Sequence, residues 1–140
     1  MDQYTCGALL KQINDIMEKN ANNALRGQNL TIAQSGVLVL LDGKEEKTAT
    51  FKELEKSFGV SQPTMVGLLS RLEQKKLVEI LIDPDDKRIR RAHLTQEGSD
   101  KCKEGYKHMK LAEEMLLKDL TEKEKTEFLR LLIKIRGSME

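Results

Sequence analysis

Residues 50–94 read TFKELEKSFGVSQPTMVGLLSRLEQKKLVEILIDPDDKRIRRAHL, and this stretch decides the fold of the chain. Its first part predicts a helix, because Thr50 and Glu53 form a T-x-x-E capping box and the apolar residues that follow recur at helical spacing. Gly59 ends this helix, since glycine readily adopts the left-handed backbone of helix C-termini. A tight turn after a short helix is therefore expected.

A second helix is expected to begin near Gln62. Ser61 is a favourable N-cap, and proline at position 63 is accepted in a first helical turn. The apolar face of this helix comprises Met65, Leu68, Leu69 and Leu72, and the opposite face comprises Gln62, Thr64, Gly67, Ser70, Arg71 and Gln74. Small, polar and weakly basic side chains suit a helix that enters the major groove of duplex DNA, where bulky or acidic groups would clash or repel.

A β-hairpin with a basic tip follows the helix pair. Residues 77–82 and 89–94 are rich in strand-forming types, and residues 83–86 (DPDD) are typical of a turn. Its basic side chains are Lys87, Arg88, Arg90 and Arg91. A hairpin tip is often merely charged and solvated, but such a tip directly after a helix-turn-helix favours DNA, where it can enter the minor groove or neutralise phosphates.

The chain resembles the MarR family of winged helix-turn-helix transcriptional regulators over nearly its whole length. The segments that carry the resemblance are residues 60–66 (VSQPTMV), 69–73 (LSRLE), 83–88 (DPDDKR) and 94–98 (LTQEG). The D-x-R motif followed by L-T-x-x-G is the specific part, since helix-turn-helix patterns occur in many families. The resemblance implies a DNA-binding regulator.

The family pattern also implies roles for individual residues. It places Gln62 and Thr64 in the major groove, Ser61, Ser70 and Arg71 near the DNA backbone, and Arg88 in the minor groove. Asp86 is expected to hold Arg88, because a guanidinium already held by a carboxylate loses less freedom on binding. The full set of expected DNA-binding residues is Ser61, Gln62, Thr64, Ser70, Arg71, Asp86, Lys87, Arg88 and Arg90.

Two residues depart from the family pattern. Many relatives carry a basic residue where this chain has Ile80, and a glycine at the end of the recognition helix where it has Lys76. The first change removes a possible phosphate contact. The second predicts that the recognition helix ends in a different way.

Both flanks of this region are predicted to be amphipathic helices. Apolar residues recur from Cys6 to Leu25 and again from about Thr95, and a second T-x-x-E box at position 121 precedes a helix that is apolar on several sides. A chain of 140 residues has too little core to cover such a helix, so a homodimer is expected, which would read a pseudo-palindromic operator.

The predicted fold class is therefore mainly α with a small β-hairpin wing (α+β). Residues 46–94 form the winged helix-turn-helix region, residues 1–45 and 95–140 form the helical dimerisation region, and together they make one continuous domain. Thr31 and Gln34 form a further capping box, which starts a support helix ending before Gly43.

Charge is distributed unevenly, although the formal net charge is only +1. Residues 1–46 hold four basic and six acidic side chains, residues 47–94 ten and seven, and residues 95–140 ten and ten. Positive charge thus concentrates in the segment expected to contact DNA, which predicts salt-dependent binding.

Neither a signal peptide nor a membrane span is apparent, which predicts a cytoplasmic protein without membrane partners.

The two cysteines and two histidines suggest no metal site, cofactor or enzyme active site. Cys6 occupies about the position of the oxidant-sensing cysteine of some relatives, but the sequence around it offers little to ionise the thiol, so a structural cysteine is favoured over a redox sensor.

The resemblance implies a repressor that a small-molecule effector releases. The alternatives are redox sensing through Cys6 and a winged-helix protein-interaction module that does not bind DNA.

Overall fold

The computed structural model describes residues 4–140, which form six α-helices and three strands. The elements are α1 (Cys6–Gly27), α2 (Ile32–Asp42), β1 (Thr48–Thr50), α3 (Phe51–Phe58), α4 (Gln62–Gln74), β2 (Val78–Ile82), β3 (Arg90–Leu94), α5 (Gln96–Leu117) and α6 (Glu122–Met139). The strands form one antiparallel sheet in the order β1-β3-β2. The predicted fold class, mainly α with a hairpin wing, is confirmed.

The helices begin where the sequence predicts, because polar side chains satisfy the free N–H groups of their first turns. The Thr31 and Gln34 pair before α2 forms a complete capping box. The Thr50 hydroxyl accepts from the backbone N–H of Glu53, but the Glu53 carboxylate does not return the bond and lies 4.0 Å from Lys44 instead. The expected box before α3 is therefore only half formed.

The helix-turn-helix encloses the core of the chain. Its fully buried large side chains are Leu38, Leu41, Leu54, Met65, Leu69, Leu72, Val37 and Val78. They come from α2, α3, α4 and β2, so the support helix and the hairpin pack against the same core as the two helices of the motif. Gly59 makes the corner between α3 and α4 in the predicted left-handed conformation, with φ at 61°.

The backbone just after the recognition helix α4 has an unexpected conformation at Lys76. Lys76 itself adopts the left-handed conformation, with φ at 64°. The backbone N–H of Leu77 donates to the Leu72 carbonyl at 3.0 Å and that of Lys76 to the Glu73 carbonyl at 2.9 Å. The expectation of a different helix stop was wrong, because Lys76 takes the left-handed backbone that glycine usually takes after a helix, and it bears the steric cost of its Cβ.

Replacing Lys76 with glycine should therefore stabilise the protein by about 0.5–1 kcal/mol, because the left-handed backbone costs glycine no steric strain. Urea denaturation measures this change. Lys76→Ala is the matched control: it removes the same side chain but retains the Cβ, and it should leave stability nearly unchanged. Equal effects of the two substitutions would show that the side chain, not the backbone, is responsible.

The start of α5 is bonded to the end of α4. The Thr95 hydroxyl donates to the Lys76 carbonyl at 2.7 Å and accepts from the backbone N–H of Gly98 at 3.0 Å, while the backbone N–H of Thr95 donates to the Leu77 carbonyl at 3.1 Å. Gly98 is buried, and a Cβ built there would lie 2.2 Å from the Leu77 carbonyl oxygen. The L-T-x-x-G motif thus joins the wing, the recognition helix and α5 through direct contacts.

A second connection links α5 to the end of α2. The Tyr106 hydroxyl donates to the Asp42 carboxylate at 2.8 Å, and the Lys47 ammonium lies 2.6 Å from the other carboxylate oxygen. These bonds, that of Lys47 first, hold the pKa of Asp42 below its ordinary value of 3.8, and the bond to Asp42 is the main reason that the pKa of Tyr106 rises to about 12. Asp42 therefore remains ionised at neutral pH.

Asp42 should make the stability of the protein sensitive to acid. Because its folded-state pKa is lowered, its contribution is fully present above the ordinary carboxyl value of 3.8 and is lost as the pH falls through the folded-state pKa. Asp42→Asn should lower stability at pH 7 and flatten its decline in acid, as measured by urea denaturation from pH 7 to pH 2. Tyr106→Phe should produce the same trend more weakly; an unchanged acid profile in Asp42→Asn would contradict this assignment.

The chain divides into two compact units, one ending at His108 and the other spanning Met109–Glu140. In the first unit, α1 has no buried residue. In the second, the described residues of α6 are likewise never buried, and its capping box at Thr121 and Glu124 is complete. No helix within residues 4–140 has both the length and the apolar character needed to cross a membrane.

Candidate nucleic-acid interface

The N-terminus of α4 presents polar side chains to solvent. The Ser61 hydroxyl accepts from the backbone N–H of Thr64 at 3.4 Å and lies 2.9 Å from the Thr64 hydroxyl. Gln62 is exposed, and no other described residue bonds its amide. A glutamine amide can pair with an adenine edge and a threonine methyl can contact a thymine methyl, so this end of the helix has the chemistry of direct base readout.

Further along α4, Arg71 is exposed and Ser70 is half-buried, whereas Met65, Leu69 and Leu72 are fully buried. This division confirms the predicted polar and apolar faces of the helix. Gly67 leaves the middle of the outer face without a side chain, and a Cβ there would meet no atom within 4 Å. No large side chain therefore projects from the middle of the outer face, which permits close approach of a DNA groove.

The hairpin turn is organised by Asp83. Its carboxylate accepts from the backbone N–H groups of Asp85 at 2.8 Å and Asp86 at 3.1 Å, and its own N–H donates to the Ile89 carbonyl at 2.9 Å. Asp83 also lies 3.7 Å from the Arg91 guanidinium. The sequence predicts this residue only as part of a turn, and an aspartate followed by proline was the available signal of its role.

The Asp86 carboxylate forms a bidentate ion pair with the Arg88 guanidinium. The Asp86 oxygens accept from Nε and Nη2 of Arg88, each at 3.1 Å, and Oδ1 also accepts from the Arg88 backbone N–H at 3.0 Å. These bonds, the side-chain ones first, hold the pKa of Asp86 below its usual range. The Arg88 side chain is nevertheless 91% exposed. The predicted pairing is confirmed, and it orients an exposed cation at the wing tip.

The remaining basic residues of the wing differ in their surroundings. Lys87 is exposed at the tip. Arg90 is half-buried, and its guanidinium carbon lies 4.6 Å from the centroid of the Phe51 ring. Its role in DNA binding remains a prediction. Phe51 is expected from the sequence only as an apolar residue of its helix, and spacing along the chain gave no means of finding its contact with Arg90.

The cysteines occupy different environments. Cys6 is exposed at the first residue of α1, whereas Cys102 is buried, and burial, with a further contribution from Asp42, raises the pKa of its thiol to about 11. Cys102 is thus a protonated core residue at neutral pH. Within the described part of the chain, no three side chains of His, Cys, Asp or Glu are grouped as metal ligands.

The polar face of α4, the ordered cation on the wing and the sheet order β1-β3-β2 define the chain as a winged helix-turn-helix protein. The MarR family model matches residues 28–89. This match and the structural similarities below support a MarR-family winged helix-turn-helix protein and, at that level, a DNA-binding transcriptional regulator.

Three solved structures illustrate this similarity. The apo form of MarR from E. coli shares 28% sequence identity with a TM-score of 0.81, covering 96% of this chain and 98% of that one. A MepR–DNA complex from S. aureus shares 26% identity with a TM-score of 0.80, covering 96% and 98%. A point mutant of S. aureus MepR shares 26% identity with a TM-score of 0.86, covering 98% and 100%. No curated protein matches the chain significantly by sequence.

Proposed function

We propose that the protein is a homodimeric repressor that reads a pseudo-palindromic operator with α4 in the major groove and Arg88 in the flanking minor groove. The observation that carries this proposal is the bidentate pair of Asp86 and Arg88, which leaves an oriented and exposed guanidinium on the wing that follows an uncrowded polar helix. Base contacts are assigned to Gln62 and Thr64. Phosphate or backbone contacts are assigned to Ser61, Ser70, Arg71 and Lys87.

Dimerisation is inferred from the apolar surface that a single chain leaves uncovered. The large exposed apolar residues of α1 are Leu9, Leu10, Ile13 and Ile16, and those of α6 are Leu129, Leu131, Ile133, Ile135 and Met139. Surfaces of this kind on long helices typically mark an interface. A two-fold dimer would present two copies of α4 to successive major grooves about one helical turn apart. This assignment also supports the proposed division into a reading region at residues 46–94 and dimerisation flanks.

The DNA assignment is tested by fluorescence anisotropy with a duplex from the promoter of the protein's own gene. The full chain should bind this duplex more tightly than a scrambled duplex of the same length and composition. The affinity should fall steeply as the salt concentration rises, since phosphate contacts release counterions. Equal affinity for the two duplexes would reject sequence-specific reading, and absence of binding at low salt would favour the protein-interaction module instead.

The oligomeric assignment needs a separate measurement. Sedimentation equilibrium should give twice the 16.0 kDa mass of the chain. Ile133→Glu should shift the equilibrium toward the monomer, because it would bury a charge in the proposed interface. Glu122→Lys, an exposed charge reversal in the first turn of the same helix, serves as the control. A monomeric wild-type chain at micromolar concentration would reject the dimer.

Release by a small-molecule effector would need a binding place, and an open cleft of about 480 Å³ is a candidate. Its lining combines the α1–α2 junction (Gln28 and Asn29), the end of α4 (Lys75 and Leu77) and the first half of α5 (Glu97, Asp100, Lys101 and Glu104). A molecule bound there would contact both the recognition helix and α5. It would act only through different affinities for the DNA-bound and free conformations.

Redox control through Cys6 is the alternative form of regulation, and its supporting observation is that the thiol is exposed. If Cys6 is the sensor, peroxide abolishes promoter binding in the native protein, a thiol reductant restores it, and Cys6→Ser is insensitive. Because the sequence favours a structural cysteine, we expect native and Cys6→Ser proteins to respond alike. A difference between them would make Cys6 the regulatory residue.

A further inference from the structure

The guanidinium of Arg90 lies over an aromatic ring that belongs to the core. The distance from Cζ to the centroid of the Phe51 ring is 4.6 Å, which is within the range of a cation–π contact. Phe51 is the first residue of α3 and is only 6% exposed. Because packing fixes this ring, it offers the wing a fixed point on the helix-turn-helix.

The contact between Arg90 and Phe51 occurs at the end of the three-stranded part of the sheet. β1 pairs with β3 only at residues 91–93, so Arg90 is the first residue of β3 on the tip side of the three-stranded part. On the tip side of the three-stranded part, the β2–β3 pairing continues only at Arg90 and Ile82, and residues 83–89 form the turn. Hairpins of two strands have little stability of their own. A contact at this position can therefore determine how the tip is oriented relative to the helices.

The position of the wing tip relative to α4 must be fixed by a contact outside the hairpin. Asp86 holds the Arg88 guanidinium relative to the tip, but both residues lie on the hairpin, so their ion pair does not place the tip relative to α4. Arg90 is two residues from Arg88 along the chain, and Phe51 belongs to the helix-turn-helix. The stack thus connects the part of the wing that would enter the minor groove to the part of the fold that holds α4.

We infer that Arg90 is a positioning residue, which stacks on Phe51 to set the position of Arg88 relative to the recognition helix and does not contact a DNA phosphate. This inference rests on the proposed function, in which α4 and the wing bind one duplex together. Arg90 forms no ion pair with a described carboxylate, whereas Arg88 pairs with Asp86 and Arg91 with Asp83. A direct phosphate contact is therefore the competing explanation for its charge.

Salt dependence separates the two explanations. Each phosphate contact contributes roughly 0.9 to the slope of the logarithm of affinity against the logarithm of salt concentration. A positioning residue changes the affinity without changing that slope. The measurement is the fluorescence anisotropy of the promoter duplex with the protein at several KCl concentrations. The variants are Arg90→Leu, Phe51→Leu, their double variant and Phe51→Tyr. Thermal unfolding establishes that each variant is folded.

Arg90→Leu and Phe51→Leu should each weaken binding by about fivefold, the double variant should be no weaker than either, and the slope should stay at the wild-type value. Phe51→Tyr keeps the ring and should keep wild-type affinity. A slope that falls by about one per protomer in Arg90→Leu would overturn the inference in favour of a phosphate contact. Additive losses, or an unchanged affinity in Arg90→Leu, would overturn it as well.

Failure of the proposed function has a different signature. Arg88→Ala, measured in the same series, should weaken binding far more than Arg90→Leu. If the wild-type chain does not bind the promoter duplex, or if Arg88→Ala binds as well as wild type, the proposed function fails and this inference fails with it. If Arg88→Ala is weakened while Arg90→Leu changes the salt slope, only the role assigned to Arg90 is wrong.

Discussion

Gly98→Ala should lower the free energy of unfolding by about 3 kcal/mol or more, the largest effect expected of any single methyl group in this chain. The new Cβ would lie 2.2 Å from the Leu77 carbonyl oxygen and 2.6 Å from a Leu94 methyl carbon. The carbonyl belongs to the backbone and accepts the bond from Thr95, so it cannot move aside without breaking the joint between α4 and α5. Urea denaturation followed by circular dichroism measures the loss.

Gly105→Ala is the matched control, because it makes the same substitution on the same helix. A Cβ at position 105 would meet no atom within 4 Å. Since alanine favours a helix interior over glycine, this change should stabilise the protein by about 0.5–1 kcal/mol. Similar effects at the two positions would show that helix propensity, not the close approach at Leu77, governs position 98.

Arg88→Ala should reduce promoter affinity by about a hundredfold, because each protomer of the proposed dimer would lose an oriented cation worth roughly 1–3 kcal/mol. Asp86→Asn gives the sharper test of how that cation works. It removes a negative charge from the wing, so simple electrostatics predicts tighter binding. Loss of the bidentate pair predicts weaker binding, by about tenfold, because Arg88 must then be ordered when DNA binds.

Asp85→Asn separates charge from preorganisation. Asp85 is the neighbouring residue and is exposed, and no hydrogen bond or ion pair of its carboxylate occurs among the described residues. This substitution removes the same charge as Asp86→Asn but leaves Arg88 held in place, so binding should be unchanged or slightly tighter. If Asp86→Asn tightened binding to the same extent, the Asp86 and Arg88 pair would not be a device for ordering the wing.

Contacts between residues that are close in the chain were largely predictable. Ser61 caps α4, Gly59 adopts the left-handed turn, and Asp86 holds Arg88 two residues away, as expected. Local backbone geometry brings such groups together in almost any fold that contains the helix or turn. Lys76 is the local exception: its side chain gives no sign of a left-handed backbone, yet the contacts of Thr95 and Leu77 hold the chain in that form.

The amino-acid sequence alone determined the order of elements, the polar face of the recognition helix and the ordered arginine of the wing, because periodicity and short-range hydrogen bonds suffice for each. Only the tertiary structure decided that Arg90 stacks on Phe51, that Tyr106 bonds to Asp42, and that Gly98 lies against Leu77. These partners are separated by many residues, and their spacing along the chain does not indicate which residues will meet. They meet because the buried faces of α2, α3 and α4 pack around one core and thereby place the wing and α5 beside it.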